Sequence, residues 1–246
     1  MYWRAETAPL WQAFWSQLQA AARVHGIALP DLTPPEALPD LRAHWLAPDL
    51  ALSMTCGLPF RTVLKGKVTY IGTLAFGLNA PVGHYFSRLV SRHAPFSTDR
   101  PRGSLGVLAY NSADSQSGWA ATQMKTPTMA PPRFSGFVAT GSHAGSLAAV
   151  AEGRADIAFI DAVTWRLLKR YDRNALNVFQ CGTSAITPAL PLIAAKGTDP
   201  APLRAAFRDV TRGWHPADPM AMGGPLSFHV LPEQAYFDVG LPTPPP

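Results

Sequence analysis

Between Phe137 and Trp165 the chain reads "FVATGSHAGSLAAVAEGRADIAFIDAVTW". Short apolar runs alternate there with polar turns and with stretches of helical spacing. That order predicts strand, polar turn, helix, strand, polar turn, helix, which is the signature of an α/β sheet. "FVA" runs into Thr140, Gly141, Ser142 and His143, and the helix "AGSLAAVAEG" follows, with Ser142 or Ser146 able to cap it. "RADIAFID" forms the next strand and ends at Asp161, where "AVTW" opens another helix. An earlier stretch repeats the device. "SLGVLA" (Ser104–Ala109) reads as a buried strand, "YNSADSQSGWAA" (Tyr110–Ala121) as a polar turn, and Trp119–Met124 as a helix start. Polar turns at the carboxyl ends of strands are where open α/β sheets bind ligands.

One Ser, Asn or Asp before a helix is explained by capping alone. Four hydroxyl or amide side chains beside Gly118 suit an anion cradle, where backbone N–H groups and a helix dipole converge. Asp161 fits either an N-cap or a site acid. His143 fits either a histidine satisfied by backbone near a helix start or a ligand contact.

The rest of the chain follows the same alternation. Thr7–Val24 reads as a helix with Leu10, Phe14, Leu18, Ala21 and Ala22 on one face. "HGIALPDLTPPEALPD" interrupts helical structure with its prolines. "LRAHWLAPD" is a short helix, "LALSMTCG" a strand, and "RTVLKGKVTYIGTLAFG" a helix end, a turn and a strand. "HYFSRLVSR" is extended, "LNVFQCGTSAITPALPLIAA" holds two strands, "APLRAAFRDVTRG" is a helix, and "GLPTPPP" is extended or disordered. The expected architecture is α/β with largely parallel sheets.

Composition narrows the function classes. At 246 residues, 47% hydrophobic and 15% charged, the chain is globular, with one large domain or two small ones. No apolar run approaches the roughly 18 residues of a membrane span. The opening "MYWRAETAPLWQAFWSQL" has helical spacing without the features of a signal peptide, so as written an export signal is not expected. The net charge of +5, from 21 basic and 16 acidic residues, is spread out and lacks the basic stripe that nucleic acid would require. Cys56 and Cys181 are too few for a disulfide framework or a zinc site. No P-loop, dinucleotide or metal signature occurs, so no cofactor and no metal are expected.

"NSADSQSG", "TGSHAGSLAAVAEGRADIAFIDAVTW" and "LSMTCGLPF" together resemble the phosphate/phosphite/phosphonate substrate-binding proteins of ABC importers, which have the type 2 periplasmic binding protein fold. The resemblance runs from about Tyr2 to Tyr236. It implies an α/β protein of two lobes, with two mixed sheets flanked by helices and a ligand cleft between the lobes. Lobe one would be residues 1–83 and 188–246, lobe two residues 84–187, with "HYFSRLVSR" and "SAITPALPLI" as crossing segments. Carried over by motif, the ligand donors are Ser115, Gln116, Ser117 and Gly118, with His143 and the acid Asp161. Thr55, Cys56 and Gly57 of lobe one would face the ligand, as would Thr73, Phe76 and Tyr2. The family's opening strand before the "MY" dipeptide has no counterpart, which implies a short or missing first strand in lobe one.

The resemblance implies a binding protein without catalysis that captures a small anion or zwitterion, with a possible ABC permease as partner. It also implies a monomer in the periplasm, although the chain as written, with no export signal, would be cytoplasmic. Two alternatives stand beside it. One is a ligand-sensing domain of the same fold. The other is a hydrolase, because Ser117, His143 and Asp161 form a nucleophile, base and acid set on paper, although no G-x-S-x-G elbow occurs.

Overall fold

A computed structural model describes residues 2–94, 105–124 and 134–246. Its helices, in chain order, are α1 (Ala8–Val24), α2 (Leu41–Trp45), α3 (Gly57–Arg61), α4 (His143–Ala151), α5 (Ala162–Tyr171), α6 (Pro200–Gly213) and α7 (Gln234–Phe237). The first strands are β1 (Ser53–Met54), β2 (Val68–Ala75), β3 (His84–Tyr85), β4 (Ser87–Ser91), β5 (Val107–Tyr110) and β6 (Gly136–Ala139). They are followed by β7 (Ile157–Asp161), β8 (Phe179–Thr183), β9 (Thr187–Pro188), β10 (Pro191–Ala195) and β11 (Ser227–His229). No helix among the described residues is long and apolar enough to cross a membrane.

The chain forms two compact units. The first joins Tyr2–His84 to Pro188–Asp238, and the second joins Tyr85–Thr187 to Val239–Pro246. The chain thus changes unit inside β3 and inside β9. The tail departs from the expected division, which kept residues 188–246 together. Its Thr243 is pinned to the second unit: the Thr243 carbonyl accepts from Trp119 Nε1 at 2.7 Å and from Gln123 Nε2 at 3.0 Å. The Thr243 N–H and hydroxyl donate back to Gln123 Oε1 at 2.8 and 2.9 Å. An extended proline-rich tail has unpaired backbone groups, and Gln123 satisfies both kinds at one residue.

In the second unit the sheet order is β6-β5-β7-β4-β8. β7 is buried at all five residues, which is why "IAFID" reads as a near-continuous apolar run. β5 pairs in parallel with β6 and β7, while β4 runs antiparallel to β7 and β8. α4 packs on this sheet through Leu147, Ala149 and Val150, in a core with Val90, Ile160, Trp165 and Leu168.

The sheet of the first unit, in the order β1-β10-β2-β11, is antiparallel in every pair. This corrects the expectation of largely parallel sheets, both mixed: only the second unit's sheet is mixed, with two parallel and two antiparallel pairs. A parallel pair needs a helical crossover, and α4 supplies one between β6 and β7. β10 instead follows β9 almost directly and runs back against β2. Trp45, Leu50, Phe60, Leu64, Tyr70, Ile193 and Tyr236 form the core on this sheet.

α1 buries Phe14, Leu18 and Ala22, while Leu10 and Ala21 of the expected face are half-buried. Other elements are shorter than their sequence suggests. The strand read in "LALSMTCG" is only β1, and β5 starts at Val107, while Ser104 lies outside the described residues. The helix expected from Trp119 is only a 3-10 turn, Ala120–Thr122. No strand precedes α1 among the described residues.

Gly72 sets how closely β2 and β11 approach. A Cβ there would lie 2.5 Å from the Phe228 ring and 2.7 Å from the His229 carbonyl oxygen. The Phe228 ring cannot retreat, because it stacks on Phe207 of α6 with centroids 5.1 Å apart. Gly72→Ala should therefore destabilise the protein by about 1–3 kcal/mol, the usual cost of overpacking. Thermal denaturation checks this, and an unchanged midpoint would show that the ring has room to move.

Candidate functional site

Ser115 winds the turn that follows β5. Its carbonyl accepts from the N–H groups of Trp119 at 3.2 Å and Ala120 at 2.9 Å, and its Oγ accepts from Gly118 N–H at 2.9 Å. Asn111 Oδ1 lies against Gly118 so closely that any Cβ at 118 would collide with it. Ser87 Oγ of β4 donates to the Ser117 carbonyl at 2.8 Å and fixes the turn to the sheet. Ser115, Gln116 and Ser117 are all buried. Among the described residues the Ser117 N–H has no acceptor.

α4 begins beside this turn. Its N-cap Ser142 accepts from Gly145 N–H at 3.0 Å, whereas Ser146, the other expected cap, bonds Thr140 Oγ1 at 2.7 Å. The first-turn N–H groups of His143 and Ala144 have no acceptor, as the first turn of any helix leaves them. Ser117 Oγ and His143 Nε2 lie 2.8 Å apart, at 1% and 3% exposure. Burial pushes the His143 pKa from 6.5 down to about 3, against a smaller opposing pull from the Phe159 backbone. The ring is therefore neutral, its Nδ1 is buried without a hydrogen-bond partner, and its Nε2 shares one hydrogen bond with the Ser117 hydroxyl.

Asp161 ends β7 and is fully buried. Its Oδ1 accepts from Thr164 N–H at 2.7 Å as the N-cap of α5, and its backbone partner across β4 is Ser87. Ser87 therefore ties Asp161's strand to the Ser117 turn. Sequence reasoning passed over Ser87, since nothing in "HYFSRLVSR" distinguishes it from an ordinary strand serine.

Of the expected residues in this unit, Ser117, His143 and Asp161 come together around Ser87. Two expectations are corrected. The Gly118 N–H is engaged by Ser115, so it is not a free donor. The turn also has no α-helix behind it, because the N–H groups of 119 and 120 fold back on Ser115; the helix start belongs to α4.

In the first unit, Thr55 is buried and its Oγ1 has no hydrogen-bond partner, while its N–H donates to Pro191 O at 3.0 Å. Cys56 is the half-buried N-cap residue of α3, and Gly57 is its buried first residue. Thr73 is a brace: its hydroxyl donates to Leu190 O at 2.8 Å inside the core. Tyr2 and Phe76 are buried against each other edge to face, with centroids 4.9 Å apart. No group of three or more His, Cys, Asp or Glu able to hold a metal occurs among the described residues.

Residues 106–221 match the family described as ABC transporter, phosphonate, periplasmic substrate-binding protein. That span holds the whole Ser117, His143 and Asp161 constellation. No curated protein matches the chain. Among solved structures, PhnD1 of Prochlorococcus marinus in complex with methylphosphonate is similar at a TM-score of 0.63 and 11% identity, over 93% of this chain and 90% of that one. XAC2383 of Xanthomonas citri, bound to chloride, is similar at a TM-score of 0.59 and 16% identity, over 96% and 93%. A binding protein component of an ABC phosphonate transporter from Pseudomonas aeruginosa is similar at 0.54 and 17% identity, over 85% and 71%. The likeness to the phosphonate substrate-binding family thus covers residues 106–221, and the fold of the chain is that of the periplasmic binding proteins.

Proposed function

We propose that this protein captures a small ligand bearing a tetrahedral oxyanion, phosphonate- or phosphite-like, and delivers it to an ABC importer in the periplasm. The observation that carries this reading is the buried pair of Ser117 and neutral His143 at the start of α4, beside the unpaired N–H groups of 117, 143 and 144. Fixed neutral dipoles hold an oxyanion without a counter-charge, and a helix N-terminus adds about 0.3–1 kcal/mol. The buried carboxylate of Asp161 ends the neighbouring strand β7, which favours a ligand that carries a donor of its own. A zwitterion such as 2-aminoethylphosphonate, or a singly protonated phosphonate, meets that condition.

Binding rather than catalysis is supported by the same geometry. A Ser–His–Asp hydrolase needs the carboxylate on the imidazole and a base that gains its proton readily. Asp161 Oδ1 instead caps α5, and burial holds His143 far below the pKa of a working base.

Ser117→Leu removes the hydroxyl and fills the space of the oxyanion. Titration calorimetry with methylphosphonate and 2-aminoethylphosphonate should then show no binding, in a variant that still melts cooperatively. Wild-type affinity in that variant would remove the turn from the site.

Asp161→Asn keeps a good helix cap but removes the charge. 2-Aminoethylphosphonate should lose about 1.5–3 kcal/mol of binding, the worth of a charge-assisted bond. Methylphosphonate should bind as well or better. Turnover of an activated ester that depends on Ser117 and vanishes in Asp161→Asn would make the protein a hydrolase instead.

Acid should act through His143. The unfolded chain takes up the imidazole proton near pH 6.5, the folded one only near 3, so the unfolded state binds more protons between those values. Stability therefore falls as pH drops through that window, and this loss ends near pH 3. Melting midpoints from about pH 7 to about pH 4 should fall more steeply for wild type than for His143→Gln. Parallel curves would mean that the ring is not held neutral.

A further inference from the structure

The first unit contains a cavity of about 370 Å³, within the size range of small-molecule sites, and no residue of the candidate site above lines it. Its apolar wall is built by Trp11, Phe14 and Trp15 of α1, with Leu192 of β10 and Phe207 of α6. The polar groups around it are unevenly matched. The indole N–H of Trp11 donates to Tyr2 O at 3.2 Å and that of Trp15 to Pro30 O at 3.0 Å, which leaves their ring faces for contact. His44 Nε2 pairs with Ser53 Oγ at 3.2 Å, and burial lowers the His44 pKa, so this ring carries no charge. Two carboxylates, Asp31 and Asp49, also line the cavity, while no Lys or Arg does. Asp31 accepts only a long bond of 3.4 Å from Gln19, and Asp49 has no hydrogen bond or ion pair among the described residues.

Most of the donors around this cavity are thus engaged, its carboxylates are acceptors, and aromatic rings line its wall. We propose that it binds a small amphiphilic amine, with the apolar body against Trp11, Phe14 and Phe207 and the ammonium held by Asp31 and Asp49. An ammonium neutralises the carboxylates and is attracted to indole faces, whereas an anion of the same shape meets two like charges.

Two probes of one shape and opposite charge test this: 2-phenylethylamine and 3-phenylpropionate, titrated into the whole chain by calorimetry. The amine should bind saturably and the carboxylate at least about tenfold more weakly. The double variant Asp31→Asn with Asp49→Asn should abolish that preference, and Ala51→Trp, which fills the cavity from its lining, should abolish amine binding. Ser117→Leu should leave amine binding unchanged, which separates this site from the oxyanion site and makes the test independent of that assignment. Absence of saturable amine binding, equal binding of both probes, an unchanged preference in the double variant, survival of binding in Ala51→Trp or its loss in Ser117→Leu would each overturn the proposal.

Discussion

The hydrogen bond between Ser117 Oγ and His143 Nε2 joins two turns that leave different strands, and the geometry of the second unit's polar end depends on it. Both partners are almost completely buried, so breaking the bond would strand a hydroxyl and an imidazole away from water. The Ser117 carbonyl is held from the other side by Ser87, which leaves the residue little freedom. A serine fixed at both its side chain and its carbonyl places its N–H in one direction. That direction, with the start of α4 alongside, is what makes the turn a preorganised set of dipoles.

Asp161 shows how one side chain satisfies two demands. A buried carboxylate is costly unless it is hydrogen-bonded, and the N-terminus of α5 supplies both the bond and a favourable dipole. Thr73 shows the opposite case. Its position in a "GTLAFG" stretch resembles a ligand contact, yet its hydroxyl braces the Leu190 carbonyl, while Tyr236 Oη donates to the neighbouring Ala189 carbonyl at 2.8 Å. Both hold the segment that leads from β9 into β10.

The elements legible from sequence were those with strong periodicity or continuous burial: α1, α4, α5, α6 and β7. Each carries its pattern locally, as the Phe14, Leu18 and Ala22 face of α1 does. The antiparallel sheet of the first unit was not legible, because strand direction depends on where the chain re-enters after 100 residues elsewhere, not on the residues of β10. The short 3-10 turn after Trp119 was misread as a helix start for a related reason. The bonds that end it, from the N–H groups of 119 and 120 to Ser115, compete with helical ones only once the turn is folded.

By itself the sequence determined the α/β character, the polar turns at strand ends, and the residue types able to meet an oxyanion, since these follow from burial periodicity and capping chemistry. Only the tertiary structure decided how those residues are engaged. It engaged the Gly118 N–H, made Thr73 a brace, brought Ser87 to the Ser117 carbonyl, neutralised His143 by burial, and drew the tail to Trp119 and Gln123. The physical reason is the same in each case: a hydrogen bond belongs to two groups, and sequence names only one of them.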